Sequence, residues 1–379
     1  MVVRVRSVGS ATCALLMLAA PALASGSGSS SLGGGAGPVM PQQPSVSTAA
    51  GSWTATASMA AARAHLTATR LGSGRVLLVG GVDEPTTELY DPPTGTWVAG
   101  GTLNQPRWLH VAVRLADGRV LVAGGGRYTA TAELYDPATN RWTPTGSMNV
   151  DRITFTATLL RDGRVLVVGG LSAAGSGVQA SAELYDPATG RWTPTGSLRT
   201  PRRNHTATLL ADGTVLVAGG FNADGWLQSV ELNDPARGRW TRVASMTTAR
   251  EGATATLLGV GRVLVAGGGN PSALSSAELY DPASGRWSPT GSMTGYGGAA
   301  ALLQDGRVLV AGSSNEGEVY SPATGTWTAT GPVVYPGLSG RAAAVLANGQ
   351  VLYAGGERFY CGVKNCFNEP SANAEVYTP

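Results

Sequence analysis

The stretch TATLLADGTVLVAGGFNADGWLQSVELNDPARGRWTRV, residues 206–243, decides the fold. An Asp-Gly pair between two apolar runs is typical of a β-hairpin with a two-residue type I′ turn. A β-branched run bounded by glycines is typical of a strand that is covered on both faces. The stretch therefore predicts four antiparallel strands, the first of them buried, at Thr206–Leu210, Val215–Ala218, Ser229–Leu232 and Trp240–Val243.

The same sequence pattern recurs along the chain, so residues 206–243 are one unit of a repeat. Glycine pairs end the second predicted strand at Gly80, Gly124, Gly169, Gly219, Gly267 and Gly355, with a degenerate Gly312-Ser313. A glutamate opens the third strand at Glu88, Glu133, Glu183, Glu231, Glu278, Glu318 and Glu375. A tryptophan marks the fourth strand at Trp97, Trp142, Trp192, Trp240, Trp287 and Trp327, spaced 40 to 50 residues apart. This period predicts an all-β, seven-bladed β-propeller.

Trp53 predicts how the ring of blades closes. The seventh repeat ends at Pro379, after its third strand, and has no tryptophan of its own. The segment GSWTATASM, residues 51–59, resembles the fourth strand of the other repeats. We expect it to complete the last blade, because a closed ring leaves no blade with a missing strand and a bare edge.

The repeat resembles the kelch motif over residues 51–379, and its DGRVLVAGG wording is most similar to the branch related to the propeller of galactose oxidase. This resemblance implies a kelch-type β-propeller. A copper radical centre of that oxidase needs two tyrosines, two histidines and a cysteine bonded to one tyrosine. The histidines here, His65, His110 and His205, lie in no such local motif, so we expect no copper site, no other metal and no cofactor.

The N-terminal 50 residues differ in composition from the repeats. Residues 1–24 resemble a secretory signal peptide, with Arg4 and Arg6 before an apolar run and Ala22-Leu23-Ala24 at the end. The apolar run is too short for a membrane span. Residues 25–50 are rich in Gly, Ser and Pro and predict a flexible linker. We therefore expect a secreted, periplasmic or cell-surface protein.

Two cysteines, Cys361 and Cys366, fall in the long loop between the second and third strands of blade seven. In an oxidising compartment they predict a local disulfide, whereas a metal pair has no histidine near it in sequence. The formal net charge is only +3 on 379 residues, so a nucleic-acid-binding surface is not expected.

One polar position recurs in the segments that lead into the first strands. Arginine occupies it in five repeats, and Gly295 and Leu338 replace it in the last two; the arginines are Arg63, Arg107, Arg152, Arg202 and Arg250. They are either an anion clamp around one mouth of the axial channel, or architectural groups that bond a glutamate of a neighbouring blade or backbone carbonyls. The architectural interpretation is favoured, because a position that recurs from blade to blade is typical of a structural role.

The loops between second and third strands open at the same mouth and vary from blade to blade. Variable loops on a rigid scaffold are where binding residues concentrate. The candidates for contact with a ligand are Tyr128, Asn222, Asp224, Trp226, Arg358 and Tyr360. Trp226 either stacks against a sugar ring of the ligand or packs against a neighbouring loop.

These features predict a binding or scaffold protein that presents the loops to a glycan or protein ligand. We expect it to be monomeric. We find no nucleophile elbow, zinc-protease motif or phosphate loop and name no catalytic residue. The alternative is a carbohydrate-active enzyme, a lyase or mutarotase for acidic sugars. In it an arginine of the mouth would hold the substrate carboxylate while a Glu or His moved a proton.

Overall fold

The repeats fold into seven four-stranded antiparallel sheets, counted within residues 51–173, 177–312, 314–361 and 366–379, which are those that this computed structural model describes. The same residues form no helix. In blades one to six the chain runs from the axis outward through four strands, and in blade seven the outermost strand is supplied by the N-terminal segment. The prediction of an all-β, seven-bladed propeller is confirmed.

The strands follow in chain order, and the closing strand is β1 Ser52–Ala55. Blade one contains β2 Thr67–Arg70, β3 Val76–Val79, β4 Thr86–Asp91 and β5 Thr96–Thr102. Blade two contains β6 Val111–Arg114, β7 Val120–Ala123, β8 Ala132–Asp136 and β9 Arg141–Thr145. Blade three contains β10 Thr156–Leu159, β11 Val165–Val168, the hairpin β12 Leu171–Ser172 and β13 Gly177–Val178, then β14 Ala182–Asp186 and β15 Arg191–Thr195.

The remaining blades follow the same order. Blade four contains β16 Thr206–Leu209, β17 Val215–Ala218, the hairpin β18 Phe221–Asn222 and β19 Gly225–Trp226, then β20 Val230–Asp234 and β21 Arg239–Val243. Blade five contains β22 Thr254–Leu257, β23 Val263–Ala266, the hairpin β24 Gly269–Asn270 and β25 Ser272–Ala273, then β26 Ala277–Asp281 and β27 Arg286–Thr290. Blade six contains β28 Gly298–Leu302, β29 Val308–Gly312, β30 Glu316–Ser321 and β31 Thr326–Pro332. Blade seven contains β32 Ala342–Val345, β33 Val351–Ala354, the hairpin β34 Glu357–Cys361 and β35 Cys366–Pro370, then β36 Ala374–Thr378 and β1.

The Asp212-Gly213 turn forms the predicted hairpin with a different turn type. Gly213 has φ +88°, whereas Asp212 is not in the left-handed region. Leu210 N–H donates to Thr214 O at 2.8 Å, and Gly213 N–H donates to Leu210 O at 3.0 Å. The loop is thus one residue longer than a type I′ turn, and a single left-handed glycine after a type I turn matches the strand twist.

Burial differs between the strands of a blade. The second strand is fully buried, as β17 shows, whereas the first strand β16, which was predicted to be buried, is only partly so. The first strands contact one another around the axis, as β10, β16 and β22 do, and they leave a partly accessible lining. The hydrophobic core lies between blades: Leu77 and Val79 of blade one pack with Val120 and Val122 of blade two.

The N-terminal strand closes the ring as predicted. β1 pairs with β36 in antiparallel register, with Trp53 opposite Tyr377. The Trp53 ring lies 5.1 Å from the Tyr377 ring, centroid to centroid. Trp53 Nε1–H donates to Thr330 Oγ1 of blade six at 2.8 Å. Trp53 therefore joins the last two blades as well as completing the seventh sheet.

The repeat tryptophans hold adjacent blades in the same way. Trp192 Nε1–H donates to Gly146 O of the preceding blade at 2.7 Å, and its ring lies 4.9 Å from that of Tyr185. In blade four the tyrosine position is occupied by Asn233, opposite Trp240. The Asn233 amide is buried, and neither of its polar atoms has a hydrogen-bond partner among the described residues. Blade four therefore lacks one aromatic contact that its neighbours have.

The glycine pairs allow neighbouring backbones to touch. Gly80 and Gly81 have φ +72° and +132°. A Cβ on Gly80 would lie 2.2 Å from Arg107 O, and Gly81 N–H donates to the same oxygen at 2.9 Å. A side chain at Gly80 would thus push blades one and two apart.

Candidate binding face

One end of the propeller carries all the second-to-third loops and the segments that lead into the first strands; we call it the loop face, and the opposite end the turn face. Four of these loops are the two-stranded hairpins named above. Single backbone bridges tie each hairpin to a leading segment, as between Arg203 and Phe221 and between Ser339 and Glu357. The loop face is therefore built from ordered backbone over much of its extent.

A belt of backbone hydrogen bonds surrounds the axis at this face. Its residues stand two positions after the repeated arginine site, and the axial belt is defined as His65, Leu109, Thr154, Asn204, Gly252, Gly297 and Gly340. Leu109 N–H donates to His65 O at 3.1 Å, and Asn204 N–H donates to Thr154 O at 3.0 Å. The four belt residues with side chains have φ between +50° and +55°. Non-glycine residues are held in this region only when surrounding contacts impose it, and such residues concentrate at functional sites.

Sequence reasoning missed the belt, because no residue type marks it. Blades one to four have side chains there, whereas blades five to seven have glycine. Only its constant distance from the arginine position could have indicated it.

The five repeated arginines lie beneath this surface and are fully buried. Arg202 Nη1 donates to Gly219 O at 2.7 Å and to Ser229 O at 2.9 Å. Its Nη2 bonds Ser229 Oγ at 3.1 Å and Glu231 Oε1 at 3.2 Å. Equivalent pairs join the other arginines to glutamates at 2.9 to 3.1 Å: Arg63–Glu88, Arg107–Glu133, Arg152–Glu183 and Arg250–Glu278.

The interpretation as a solvent-open anion clamp is therefore wrong for Arg63, Arg107, Arg152, Arg202 and Arg250. Their side chains are at most 1% exposed, so an anion in solvent does not reach them. The architectural interpretation describes the contacts, with one difference. The glutamate partner belongs to the arginine's own blade, and the contact with the neighbouring blade is made by the arginine backbone carbonyl.

Burial and ion pairing act in opposite directions on these groups. Burial lowers the pKa of Arg202 below its ordinary value, and the Glu231 carboxylate opposes this shift. Arginine stays protonated at physiological pH even so. Each pair is thus a buried cation that is neutralised by a buried carboxylate.

Blades six and seven depart from the pattern, as their sequences predict. In blade six the glutamate accepts backbone N–H groups: Gly295 N–H donates to Glu318 Oε1 at 2.7 Å. In blade seven Arg341, three residues after Leu338, reaches Glu375. Sequence reasoning missed Arg341, because its position in the repeat is that of His110 and His205.

The histidines do not converge on a metal. His110 and His205 are buried in different blades and bond the hydroxyls of Thr67 and Thr156, each at 2.9 Å. Burial lowers the pKa of both to about 3, so they are neutral. No group of three or more His, Cys, Asp or Glu in the described part of the chain could hold a metal ion.

The predicted loop residues lie on the loop face in different settings. Tyr128 is 38% and Trp226 37% exposed, and Trp226 also packs edge-on against Phe221 with ring centroids 5.4 Å apart. Asn222 is buried, and its Oδ1 accepts the N–H of the exposed Asp224 at 2.9 Å. Asn222 thus holds the hairpin turn and does not offer that oxygen to a ligand.

The blade-seven hairpin brings Arg358 and Tyr360 onto one side. Tyr360 stacks on Phe367 with centroids 5.6 Å apart, and Arg358 Nη2 donates to Pro336 O at 2.9 Å. The backbones of Cys361 and Cys366 pair directly across the hairpin. Their side chains lie outside the part that the structure describes, so the disulfide stays a prediction.

Sequence reasoning also missed a polar group at the axis. His65 Nε2 lies 3.1 Å from Glu357 Oε1, and Asn368 Nδ2 donates to the same oxygen at 3.0 Å. On the far side of the axial belt, Asn204 Nδ2 donates to Glu251 Oε2 at 2.9 Å.

Surface charge is divided between the two faces. Apart from the buried pairs, the described residues of the loop face carry eight carboxylates and five arginines: Asp83, Glu84, Asp151, Asp224, Glu251, Glu316, Glu357 and Glu369 against Arg127, Arg199, Arg203, Arg242 and Arg358. The described part of the turn face has the opposite balance, with thirteen arginines and nine aspartates. The loop face is therefore mildly acidic.

Two shallow cavities lie elsewhere, on the outer strands. One of about 480 Å³ is lined by Trp97 and Thr87, and another of about 450 Å³ by Asp234 and Arg239. Neither contains a residue of the axial belt. We place the candidate site on the loop face because the ordered hairpins and the exposed aromatic rings coincide there.

Comparison with known proteins supports the repeat assignment. Kelch motifs match residues 107–149, 202–247 and 261–294. No curated protein sequence matches the chain. The fold is similar to that of a structure described as a novel fungal alcohol oxidase of the AA5 family in complex with copper, with TM-score 0.71 and 21% identity over 87% of this chain and 76% of that one. It is also similar to the structure of YjhT, with TM-score 0.55 and 13% identity over 83% of this chain and 99% of that one.

No helix in the described residues has the length and apolar character needed to cross a bilayer. At these identities the two structural relatives establish architecture only. The chain is thus a seven-bladed β-propeller that contains kelch motifs at residues 107–149, 202–247 and 261–294.

Proposed function

We propose that this protein is a secreted or envelope-associated binding protein whose loop face holds a glycan or protein ligand. The observation that carries the proposal is the placement of exposed aromatic rings. Among the described residues, the large exposed aromatic side chains all stand on the loop face: Tyr128, Trp226, Tyr296, Phe359, Tyr360 and Phe367. Rigid aromatic side chains on an ordered scaffold are typical of ligand-binding surfaces.

The scaffold supports this role because it does not depend on the loops. The seven interblade clusters and the closure through β1 lie below the loop face. Loop side chains can therefore differ between blades with little effect on folding.

Export and a monomeric state belong to the same proposal. Residues 1–24 have the composition of a signal peptide, and residues 25–50 that of a linker. N-terminal sequencing of the exported protein tests the cleavage after Ala24. Light scattering on the purified protein tests the monomer.

An enzyme for acidic sugars has less support. It needs a guanidinium that meets a substrate carboxylate, and the five arginines of the repeated position are buried against glutamates. We therefore assign no catalytic residue.

The test is a glycan-array and protein-binding screen with the full chain, followed by titration of the best ligand. Trp226→Ala and Tyr360→Ala remove exposed rings of the loop face, and Val260→Ala on the turn face is the matched control, since Val260 is also exposed. We expect at least one ring variant to weaken binding about tenfold with an unchanged melting temperature, and the control to bind normally. Equal binding by all variants would place the ligand elsewhere, and no ligand in either screen would reject the proposal.

A further inference from the structure

The polar group beside the axial belt contains a carboxylate oxygen without a partner. Glu357 is 5% exposed. Its Oε1 takes both hydrogen bonds, from His65 and Asn368. Among the described residues no group donates to Oε2, and this oxygen is not among the fully enclosed partnerless atoms. A nearly buried carboxylate thus keeps one acceptor oxygen open to solvent or to a ligand.

The aromatic ring of Phe359 lies on the same side of the hairpin as Glu357. Glu357 and Phe359 are two residues apart on β34, so their side chains share a face. Asn368 lies directly opposite Phe359, and its bond to Glu357 confirms that the three residues share that face. Phe359 is 55% exposed. An open carboxylate oxygen and a free aromatic ring therefore lie side by side above the axis.

The surroundings favour a cation over an anion. The loop face has more carboxylates than arginines. In blade seven Arg341 is already paired with Glu375, and Arg358 of the hairpin donates to Pro336 O. On the belt, Thr154 Oγ1 is buried and has no hydrogen-bond partner among the described residues. On the belt itself a Cβ on Gly252 would meet no atom within 4 Å, whereas one on Gly340 would lie 3.1 Å from the His65 ring.

We infer that this group binds a saccharide that carries a protonated amine, with the ammonium on Glu357 Oε2 and the sugar ring on Phe359. The inference rests on the proposed function and names the ligand class for its loop face. The ammonium supplies the donor that Oε2 lacks, and a charge-assisted hydrogen bond is about twice as strong as a neutral one. The same cation gains from the face of the phenyl ring. Asn368 and His65 position the carboxylate by holding Oε1.

Three oligosaccharides of equal length test whether the site prefers a cationic, a neutral or an anionic saccharide. They are a tetramer of glucosamine, the same tetramer N-acetylated, and a tetramer of galacturonate. Calorimetric titration of the full chain is carried out at low and high salt. We expect the glucosamine tetramer to bind about tenfold more tightly than the N-acetylated one, with an advantage that shrinks as salt screens the ion pair. We expect the galacturonate tetramer to bind least.

Two variants and one control locate the contact. Glu357→Gln keeps an acceptor for His65 and Asn368 but removes the charge, and we expect it to abolish the preference for the amine. Phe359→Ala should weaken both glucosamine tetramers. Glu369→Gln, on the other side of the same hairpin, should bind as the unchanged protein does, because Glu369 lies opposite Arg358. Melting curves of the three variants check that each is folded.

Equal affinity for the amine and N-acetyl tetramers, or an amine preference that survives Glu357→Gln, would overturn the inference. The proposed function would still stand if another glycan or a protein bound to the loop face. Absence of binding by every saccharide and protein would reject both.

Discussion

Replacing Arg202 by alanine removes the cation from one buried ion pair and leaves its carboxylate in place. Arg202 and Glu231 both have 0% exposed side chains. After the change Glu231 still accepts the N–H groups of Arg199 at 2.8 Å and Thr200 at 3.1 Å, so it is not stranded completely. The carbonyls of Gly219 and Ser229 each lose a donor.

The expected loss follows from those contacts. Removing one partner of a buried pair costs about 3–5 kcal/mol, because the remaining charge loses its counter-ion in a site without water. The unfolding entropy of the propeller, residues 51–379, is about 0.7 kcal/mol per kelvin, so the melting temperature should fall by about 4–7 °C. The matched control is Arg242→Ala in the same blade. Arg242 is exposed and bonds only Thr200 Oγ1, at 3.1 Å, so we expect a change within about 0.5 kcal/mol.

Thermal melting followed by circular dichroism measures both variants, and the double variant Arg202→Ala/Glu231→Gln measures the coupling. We expect the double variant to lose less stability than the two single losses added together, because no unpaired charge remains. If Arg202→Ala melts like Arg242→Ala, the pair is not structural. If it also loses affinity for sulfate that the unchanged protein binds, the anion clamp is the correct description after all.

Deleting residues 51–59 removes β1, and we expect a large fall in melting temperature and in solubility, since β36 becomes a bare edge; unchanged melting would contradict closure through Trp53. Asn233→Tyr should raise stability by about 1 kcal/mol, because a tyrosine would pack on Trp240 as in other blades and a partnerless amide would disappear; a lower melting temperature would show that the site is too small. His110 and His205 have pKa values lowered to about 3, below the ordinary 6.5, so the unfolded chain binds the extra protons. Their stabilisation is complete above about pH 6.5 and falls as the pH drops towards 3, by up to about 1.4 kcal/mol per pH unit for each histidine; His205→Gln should therefore lose less stability than the unchanged protein between pH 6.5 and 4.5, and parallel curves would refute this. Intact-mass analysis of exported protein should show two hydrogens fewer than the dithiol if Cys361 and Cys366 are joined, with little effect of reduction on melting because the loop is short; free thiols under non-reducing, denaturing conditions would disprove it.

The strand order and the closure of the ring could be predicted from the sequence because their signals are local. A β-branched run, a glycine pair and a tryptophan each act within one blade, and their repetition identifies the array. Trp53 was informative for the same reason, since its neighbours match a strand type that blade seven lacks. The turn at Asp212-Gly213 was misassigned because one Asp-Gly pair fits loops of two and of three residues.

The candidate site was less predictable, because its properties depend on residues far apart in the chain. The sequence left the arginines between an anion clamp and an architectural role, because it does not show which glutamate or carbonyl each one meets. The sequence did not indicate the polar group around Glu357, because its histidine partner lies 292 positions away in the chain. The left-handed belt residues are of four different types, and nothing in their identity indicates their backbone conformation.

By itself the sequence determined the number of blades, the strands within them and the strand that closes the ring. These depend on short-range preferences and on a period, and both are present in the unfolded chain. Only the tertiary structure decided that the repeated arginines are buried, that the loop face is acidic and that Glu357 keeps an open oxygen beside Phe359. The burial of a side chain and the charge around it depend on residues that are far apart in the sequence. These residues come together only when the seven sheets have closed around their axis.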